Sequence, residues 1–376
     1  MKLCFVSTTI QQPTGYAKVS FNMLKELVKV PGLEVFHYTS GAVGTVPYRA
    51  IVEGVTYKEN KDFDFEGLQG FCQDNSVDVV MIYNDIGITL SYLQKWCPPR
   101  LWVYLDTVAQ GIPPQLLNII EEKAERIYLF NDYWKSVYNF KQARVLEHGV
   151  DTDTFKFVET KELRDKLNIP QDALVFLNAN RNSRRKRLDL TISAFVQFSK
   201  RNPKKNAYLI LMTSKSGYYD VGTILYNEIY RWKHDCSKKV LSILTDKQLF
   251  TDEAINQFYN LADVGINTST GEGYGLTALE HLAVCKPQVL TELPSYTFVS
   301  KKNAAFVHSN GDREYYDRED HSGAYHDTFT SKDVADAMED VLDKQVKFTV
   351  KTWDNVMSNF IAELFDAPPE KKSETE

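Results

Sequence analysis

Short apolar runs bounded by turn residues alternate along this chain with longer stretches in which apolar residues recur at helical spacing. LCFVS (Leu3–Ser7), EVFHY (Glu34–Tyr38), VDVVMIY (Val77–Tyr83), LWVYL (Leu101–Leu105) and RIYLF (Arg126–Phe130) predict strands, with helices over Tyr16–Val30, Gly87–Trp96 and Asp132–Phe140. The alternation pauses at the polar, turn-forming HGVDTDTFKF (His148–Phe157). It restarts with ALVFLNA (Ala173–Ala179), AYLILM (Ala207–Met212), VLSIL (Val240–Leu244), DVGIN (Asp263–Asn267) and PQVLT (Pro287–Thr291). Strands alternating with helices make βαβ units around a parallel sheet, so the fold class is α/β. Two successive sets predict two Rossmann-like domains, residues 1–152 and 153–351, with a cleft between them. TWDNVMSNFIAELF (Thr352–Phe365) has apolar residues at i, i+3, i+4 and i+7 and is a helix that needs a surface to bury against. The tail 367–376 has the composition of a disordered segment. Ser309–Asp327, SNGDREYYDREDHSGAYHD, is too polar for a core element and reads as a surface loop or a site lid.

Composition narrows the classes. The 376 residues are 43% hydrophobic, as in an ordinary globular protein, and 44 Lys+Arg against 50 Asp+Glu leave a formal charge of −6. No overall field therefore draws the chain onto nucleic acid or an anionic membrane, and any basic function is local. The five cysteines (Cys4, Cys72, Cys97, Cys236, Cys285) are scattered and form no CxxC pair, which indicates neither a disulfide framework nor a zinc site. The amino-terminal MKLCFVSTTIQQPTG has too short an apolar stretch for a signal peptide, and no later run approaches the roughly 18 residues of a membrane span. A cytoplasmic protein without a transmembrane segment is expected.

Four stretches can carry chemistry. In STGEGYGLTALEHLAVCKP (Ser269–Pro287), a glycine-rich loop opens a helix, with Glu272 in the loop and Glu280 inside the helix. Helix geometry puts Glu280 near the face of Leu276 and Thr277, so both carboxylates can border one ligand. The amides of Tyr274, Gly275, Leu276 and Thr277 are donors at a helix start, which favours an anion. The plain alternative is a common turn and a solvated helix face. In FLNANRNSRRKRLDL (Phe176–Leu190), a strand, a polar loop and a helix starting near Lys186 supply Arg181, Arg184, Arg185, Lys186 and Arg187. This is either a solvated basic loop, a nuclear-import or nucleic-acid patch, or a diphosphate site at the carboxyl end of a parallel sheet, where Arg181 and Lys186 neutralise charge without metal. The net charge and the lack of interleaved aromatics disfavour nucleic acid. PTGYAKVSFNMLKEL (Pro13–Leu27) offers Gly15 for close backbone approach or for a tight turn, and Asp106, Asn84 and Asp85 follow strands, as catalytic groups or as caps. Asp62-Phe63-Asp64 and Asp151-Thr152-Asp153 match the short DxD metal pattern, but neither follows a buried strand, and no HExxH, GxSxG or Cys/His dyad is present.

Together, Gly15, Arg181, Lys186 and the E-x7-E of Glu272 and Glu280 resemble the group 1 family of retaining glycosyltransferases, which have the GT-B architecture. HGVDTDTF (His148–Phe155) is similar to the family's hinge motif, Ala262–Pro287 to its donor-site core, and the final helix, 352–366, to one that crosses back onto the first domain. NANRNSRRKRLD, MIYND and KTWD are more specifically similar to glycosyltransferases encoded by large DNA viruses of the chlorella-virus type, which would place the protein in the host cytoplasm. The resemblance implies an acceptor-side first domain and a second domain that holds a nucleotide-sugar donor, with no cofactor beyond that co-substrate and no metal. Arg181 and Lys186 would bind the donor diphosphate, Glu280 the ribose, and Glu272 the sugar hydroxyls, with Gly273, Tyr274, Gly275, Leu276 and Thr277 holding sugar and phosphate. On this reading the Arg181/Lys186 pair lies distant from Glu272. Backbone at Leu244–Leu249 would border the base, and Gly15 would approach the phosphate from the opposite domain. The chain departs from the family at Thr14-Gly15, where many members have Gly-Gly, and at Asp106, which stands where many have histidine. The expected reaction is transfer of a hexose, from GDP-mannose first and a UDP-sugar second, to a hydroxyl of a glycan, glycoprotein or lipid. Two alternatives stay open: a non-catalytic sugar-nucleotide-binding protein, and a nicotinamide-dependent oxidoreductase, which needs a GxGxxG where STTIQQPTGYA has only Gly15.

Overall fold

The computed structural model describes residues 1–41, 48–106, 108, 110–214, 217–244, 250–317 and 324–365, so the expected disordered tail lies outside the described residues. Contacts divide the chain into two compact units, one of Met1–Thr107, Ile112–Gly149 and Lys351–Glu376, the other of Val108–Gly111 and Val150–Val350.

The first unit runs β1 (Lys2–Thr8), α1 (Gly15–Leu27), β2 (Glu34–Ser40), β3 (Val55–Lys58), α2 (Gly67–Asp74), β4 (Val79–Asp85), α3 (Ile86–Lys95), β5 (Leu101–Asp106), α4 (Pro114–Lys123), β6 (Arg126–Leu129), α5 (Asp132–Tyr138) and β7 (Ala143–Val145). Its sheet is parallel, in the order β3-β2-β1-β4-β5-β6-β7. Strands β1, β4 and β5 are apolar and buried on both faces, which is why they read as unbroken hydrophobic runs. The strand order reverses between β1 and β4, the switch point at whose carboxyl ends open α/β sheets bind ligands. Thr14 opens α1 by accepting from the Ala17 amide at 3.2 Å, and Asp85 opens α3 by accepting from Ile88 at 2.8 Å.

The second unit runs α6 (Lys161–Lys166), β8 (Leu174–Asn178), α7 (Leu188–Arg201), β9 (Ala207–Thr213), α8 (Val221–Trp232), β10 (Val240–Leu244), α9 (Asp252–Leu261), β11 (Val264–Asn267), α10 (Leu276–Ala283), β12 (Gln288–Thr291), β13 (Ala304–Val307), β14 (Arg313–Tyr316), β15 (Ala324–Asp327) and α11 (Ser331–Asp340). Six strands form a parallel sheet in the order β10-β9-β8-β11-β12-β13, and β14 and β15 form a separate antiparallel pair.

The last helix, α12 (Trp353–Glu363), belongs to the first unit. Its buried Trp353, Met357 and Phe360 form the apolar stripe, and Phe360 meets Trp102 and Tyr128 edge-on at 5.9 and 5.1 Å. Burying three such side chains stabilises by roughly 1.5–3 kcal/mol each. Gly149 makes the docking possible, because a Cβ there would lie 2.6 Å from the Trp353 backbone nitrogen.

Two sequence expectations are corrected. The polar stretch Ser309–Asp327 is not simply a loop, since it contains β14 and β15. Their inward side chains are Tyr316, buried, and Glu314 and His326, which find polar partners elsewhere in the unit. The helix expected near Lys186 starts later. Arg184–Lys186 form a 3-10 turn, Arg187 adopts the left-handed φ of 48°, and α7 begins at Leu188.

Candidate active site

In the second unit, β11 delivers Asn267 to the sheet edge and residues 268–275 turn the chain into α10. Gly275 has φ 97°, and a Cβ there would sit 2.4 Å from the Tyr296 ring, so the turn needs glycine. The Ala278 and Leu279 amides both donate to the Gly275 carbonyl at 3.1 Å, which leaves Leu276 and Thr277 as the head of the helix. Just ahead of them lies Glu272, buried.

Opposite this loop stand the cations that follow β8. The 3-10 turn and the left-handed Arg187 sort the basic run: Arg185 and Lys186 point inward and are buried, whereas Arg181 is exposed. Arg184 pairs with Glu314 at 2.5 Å and Arg187 with Asp189 at 2.8 Å. Lys186 Nζ donates directly to Glu272 Oε1, Arg185 Nη1 lies 3.3 Å from Glu272 Oε2, and Asn267 Nδ2 donates to Oε1 at 3.1 Å. The expectation that Lys186 lies apart from Glu272 is therefore corrected: the two form one buried pair. Arg185 also donates to the Gly271 carbonyl, and the Thr270 amide donates to the Arg185 carbonyl at 2.8 Å. Thr268 Oγ1 lies 2.8 Å from both the Arg187 carbonyl and Thr191 Oγ1, and Asn178 donates to Thr191 at 2.8 Å. Polar side chains at the ends of β8 and β11 thus tie the cationic loop to the glutamate loop.

Burial alone would raise the Glu272 carboxyl, but the charges of Lys186 and Arg185 and hydrogen bonds from Lys186 and Asn267 outweigh it and bring the pKa to about 2. Lys186 moves the other way from its usual value: burial lowers it to about 8, with Arg185 and Arg181 adding to the fall against the pull of Glu272. The site holds an ionised carboxylate beside an ammonium that an arriving anion would stabilise. Glu280 is buried in α10 and accepts from the Tyr259 hydroxyl at 3.2 Å. Tyr274 stacks on Phe298 with centroids 5.0 Å apart, Gly273 lies in the same loop, and Thr277 Oγ1 is 3.4 Å from Asn267 Nδ2. Of the Leu244–Leu249 stretch, residues 245–249 lie outside the described residues.

The remaining candidates are in the first unit. Gly15 is the first residue of α1, and Asp106 is the last of β5, in register with Asp85 at the end of β4. Burial, Asp106 and Asp85 push the Tyr16 phenol up, and its ring packs 5.2 Å from that of Tyr83. Asn84 accepts from the Asp85 amide at 3.1 Å. Both DxD matches have structural uses: Asp64 accepts from the Tyr38 hydroxyl at 2.7 Å and from the Gly67 amide at 2.9 Å, and Asp151 accepts from the Asp153 amide at 3.1 Å. Among the described residues, no group of three or more His, Cys, Asp and Glu side chains is placed to hold a metal ion.

Residues 159–348, about half of the chain, match the model of the glycosyl transferases group 1 family. The chain belongs to the group 1 glycosyl transferases. It is 26% identical over 260 residues to mannosylglucosylglycerate synthase of Petrotoga mobilis, a match covering 60% of this chain and 55% of that protein's length. The fold of this glycosyl transferase is similar to sucrose-phosphate synthase from Thermosynechococcus elongatus, with TM-score 0.68, 14% identity, and 97% and 95% of the two chains covered. It is similar to a glycosyltransferase from Rickettsia africae, with TM-score 0.66, 15% identity, and 96% and 92% covered. A third likeness is to an E. coli structure of trehalose-6-phosphate bound with UDP-2-fluoro glucose, with TM-score 0.62, 14% identity, and 96% of each chain covered. These likenesses show the GT-B fold, with parallel sheets in two Rossmann-like domains. No described helix is long and apolar enough to cross a membrane.

Asn267 and Thr268 were not among the residues expected at the site, and Arg185 was named only as one of the basic run. Asn267 and Thr268 lie at a strand end beside the glutamate loop, which was the available signal. Arg185 was indistinguishable from its neighbours in a run of four basic residues, Arg184–Arg187.

Proposed function

We propose that this chain is a retaining, metal-independent hexosyltransferase that uses a nucleotide-diphosphate sugar as donor and a hydroxyl of a glycan, glycoprotein or lipid as acceptor. The observation that carries the reading is the buried Lys186–Glu272–Arg185 cluster set ahead of the α10 amides. Cations and amides suit a diphosphate, while an ionised carboxylate repels phosphate and accepts hydrogen bonds from sugar hydroxyls. One ligand with both ends is a sugar nucleotide. On binding, Lys186 and Arg181 turn to the diphosphate, Glu272 keeps the sugar, and Glu280 takes the ribose.

As the bond from the anomeric carbon to the phosphate oxygen breaks, the sugar gains positive charge and the phosphate negative charge, and the cations and amides stabilise the leaving group. The acceptor hydroxyl attacks the face the phosphate leaves and gives its proton to that phosphate, so no protein nucleophile is needed. Asp106 positions a hydroxyl or stabilises oxocarbenium-like charge from the end of β5. Asp106→Asn is expected to slow transfer by about 10²-fold with the fold intact. An unchanged rate would remove Asp106 from the mechanism.

Mannose is favoured as the sugar, a choice supported by the mannosyl group in the Petrotoga protein's name, and GDP is the favoured base; the UDP-sugar of the E. coli structure supports UDP as the alternative. The likeness of NANRNSRRKRLD, MIYND and KTWD to enzymes of large DNA viruses supports a viral origin and a place in the host cytoplasm. A thermal-shift panel of nucleoside diphosphates and sugar nucleotides, paired with an assay for acceptor-dependent nucleotide release, tests the reading. A donor at about 100 times its dissociation constant is expected to add roughly 2.7 kcal/mol of stability. No shift with any sugar nucleotide would overturn the reading, and a shift with UDP but not GDP would overturn the base alone.

A further inference from the structure

The β14–β15 pair turns its two faces to different surroundings. In the antiparallel register, Glu314 faces His326 and Tyr315 faces Tyr325. Alternation puts Glu314, Tyr316 and His326 on one face, and Arg313, Tyr315, Tyr325 and Asp327 on the other. The outer face is exposed and closed by an Arg313–Asp327 contact of 3.4 Å. The inner face grips both loops of the candidate site. Glu314 pairs with Arg184 at 2.5 Å, and the Arg184 guanidinium stands 4.7 Å over the Tyr316 ring. The Tyr316 ring also packs on His326 at 4.8 Å, and His326 Nδ1 lies 2.8 Å from the Thr270 carbonyl. A carbonyl only accepts, so Nδ1 carries the proton. His326 is buried, and a Cβ added to Gly271 would fall 2.4 Å from its Cε1, so the ring lies flush against the backbone that leads into Glu272.

We infer that the β14–β15 pair is a clamp for the donor loop and that His326 is its positioning residue, fixing the Thr270–Gly271 backbone and through it the Glu272 carboxylate. This rests on the sugar-nucleotide reading above. The direct ties between the two loops include the Lys186–Glu272 bond, which a donor diphosphate competes for. The clamp reaches the loops through Arg184 and Thr270 instead, so it holds them in register when Lys186 turns to the ligand. His326 touches no reacting atom, and its contribution is to geometry that is expressed in turnover.

The test compares His326→Ala, His326→Asn and, as an outer-face control, Tyr325→Ala, by steady-state transfer kinetics and by amide hydrogen exchange of peptides covering 269–275. His326→Ala is expected to lower kcat about tenfold with a smaller change in donor KM, the scale of one buried hydrogen bond. It is also expected to speed exchange of the Gly271 and Glu272 amides while α11 exchanges as before. Asn places an amide donor near the position of Nδ1 and is expected to restore most of both losses, whereas Tyr325→Ala matches the wild type. Wild-type kinetics and exchange in His326→Ala, or equal damage from Ala and Asn, would overturn the inference. Should His326→Ala not fold, Glu314→Gln loosens the clamp from its Arg184 end and is expected to lower kcat about threefold; no change there would overturn it equally. Failure of the wild type to bind any sugar nucleotide would sink the functional reading, while the exchange contrast still decides whether the clamp holds the loop.

Discussion

Replacing Lys186 by methionine is expected to slow sugar transfer by about 10²–10³-fold, the measured scale for removing one preorganised donor to a developing negative charge. Methionine keeps much of the lysine stem's volume, so the loss reports the ammonium rather than a cavity. Stability is expected to fall less than activity. Truncating one partner of a buried ion pair can cost about 3–5 kcal/mol, but burial already disfavours the Lys186 ammonium and Arg185 and Asn267 still face the Glu272 carboxylate, so the loss is expected to stay well below that range. Single-turnover rates and denaturant melts on the same preparation check both halves. A transfer rate within threefold of the wild type would exclude Lys186 from leaving-group stabilisation.

The pH dependence follows from the same residue. An unfolded-chain lysine titrates near about 10.4, and burial brings Lys186 down to about 8. A lysine whose pKa falls on folding binds its proton less well in the native state. It therefore costs stability below pH 8, and the cost is relieved as pH rises from about 8 toward 10.4. Ligand binding has the opposite demand, because a diphosphate needs the charged ammonium. Above pH 8 the ligand-free protein must take up a proton to bind, so nucleoside diphosphate affinity is expected to fall by up to about tenfold per pH unit there. The Lys186→Met variant is expected to lose that slope, as titration calorimetry in buffers of different ionisation enthalpy would show.

The legibility of the fold in the sequence was strongest where physics is local. Strands β1, β4, β5, β8 and β9 are continuous apolar runs because both sheet faces are covered, and the E-x7-E spacing and the basic run sit at strand-to-helix junctions that the alternation itself marks. It was weakest where a residue's meaning depends on a distant partner. The edge strand β3, VTYK, alternates between half-buried and exposed positions over only four residues, too brief a signal to stand out. REYY and AYHD look like loop because Glu314 and His326 are polar, yet each has a partner on a site loop, Glu314 in Arg184 at 130 residues' separation and His326, through Nδ1, in Thr270 at 56. In RRKR the four side chains are equivalent as text, and the 3-10 turn followed by the left-handed Arg187 decides which two go inward.

Replacing Glu272 by glutamine is expected to separate the two ends of the donor. Glutamine keeps the size and an acceptor oxygen but removes the charge that neutralises Lys186 and Arg185. Two buried cations then lack their counter-charge, so the ligand-free protein loses stability, by about 3 kcal/mol if the loss matches the low end for a broken buried pair. A bare nucleoside diphosphate supplies negative charge to the same cations. Its affinity is expected to hold or improve, and the thermal shift it produces to exceed that of the wild type. Transfer is expected to move the other way and fall by about 10²–10³-fold, because a neutral amide is a weaker acceptor for sugar hydroxyls and misplaces the anomeric carbon. The glutamate loop of an anion site thus has opposite effects on the phosphate and on the sugar, a contrast that a merely structural Glu272 cannot produce. Equal losses in nucleoside diphosphate binding and in transfer would show that the carboxylate serves the fold of the loop and not the sugar.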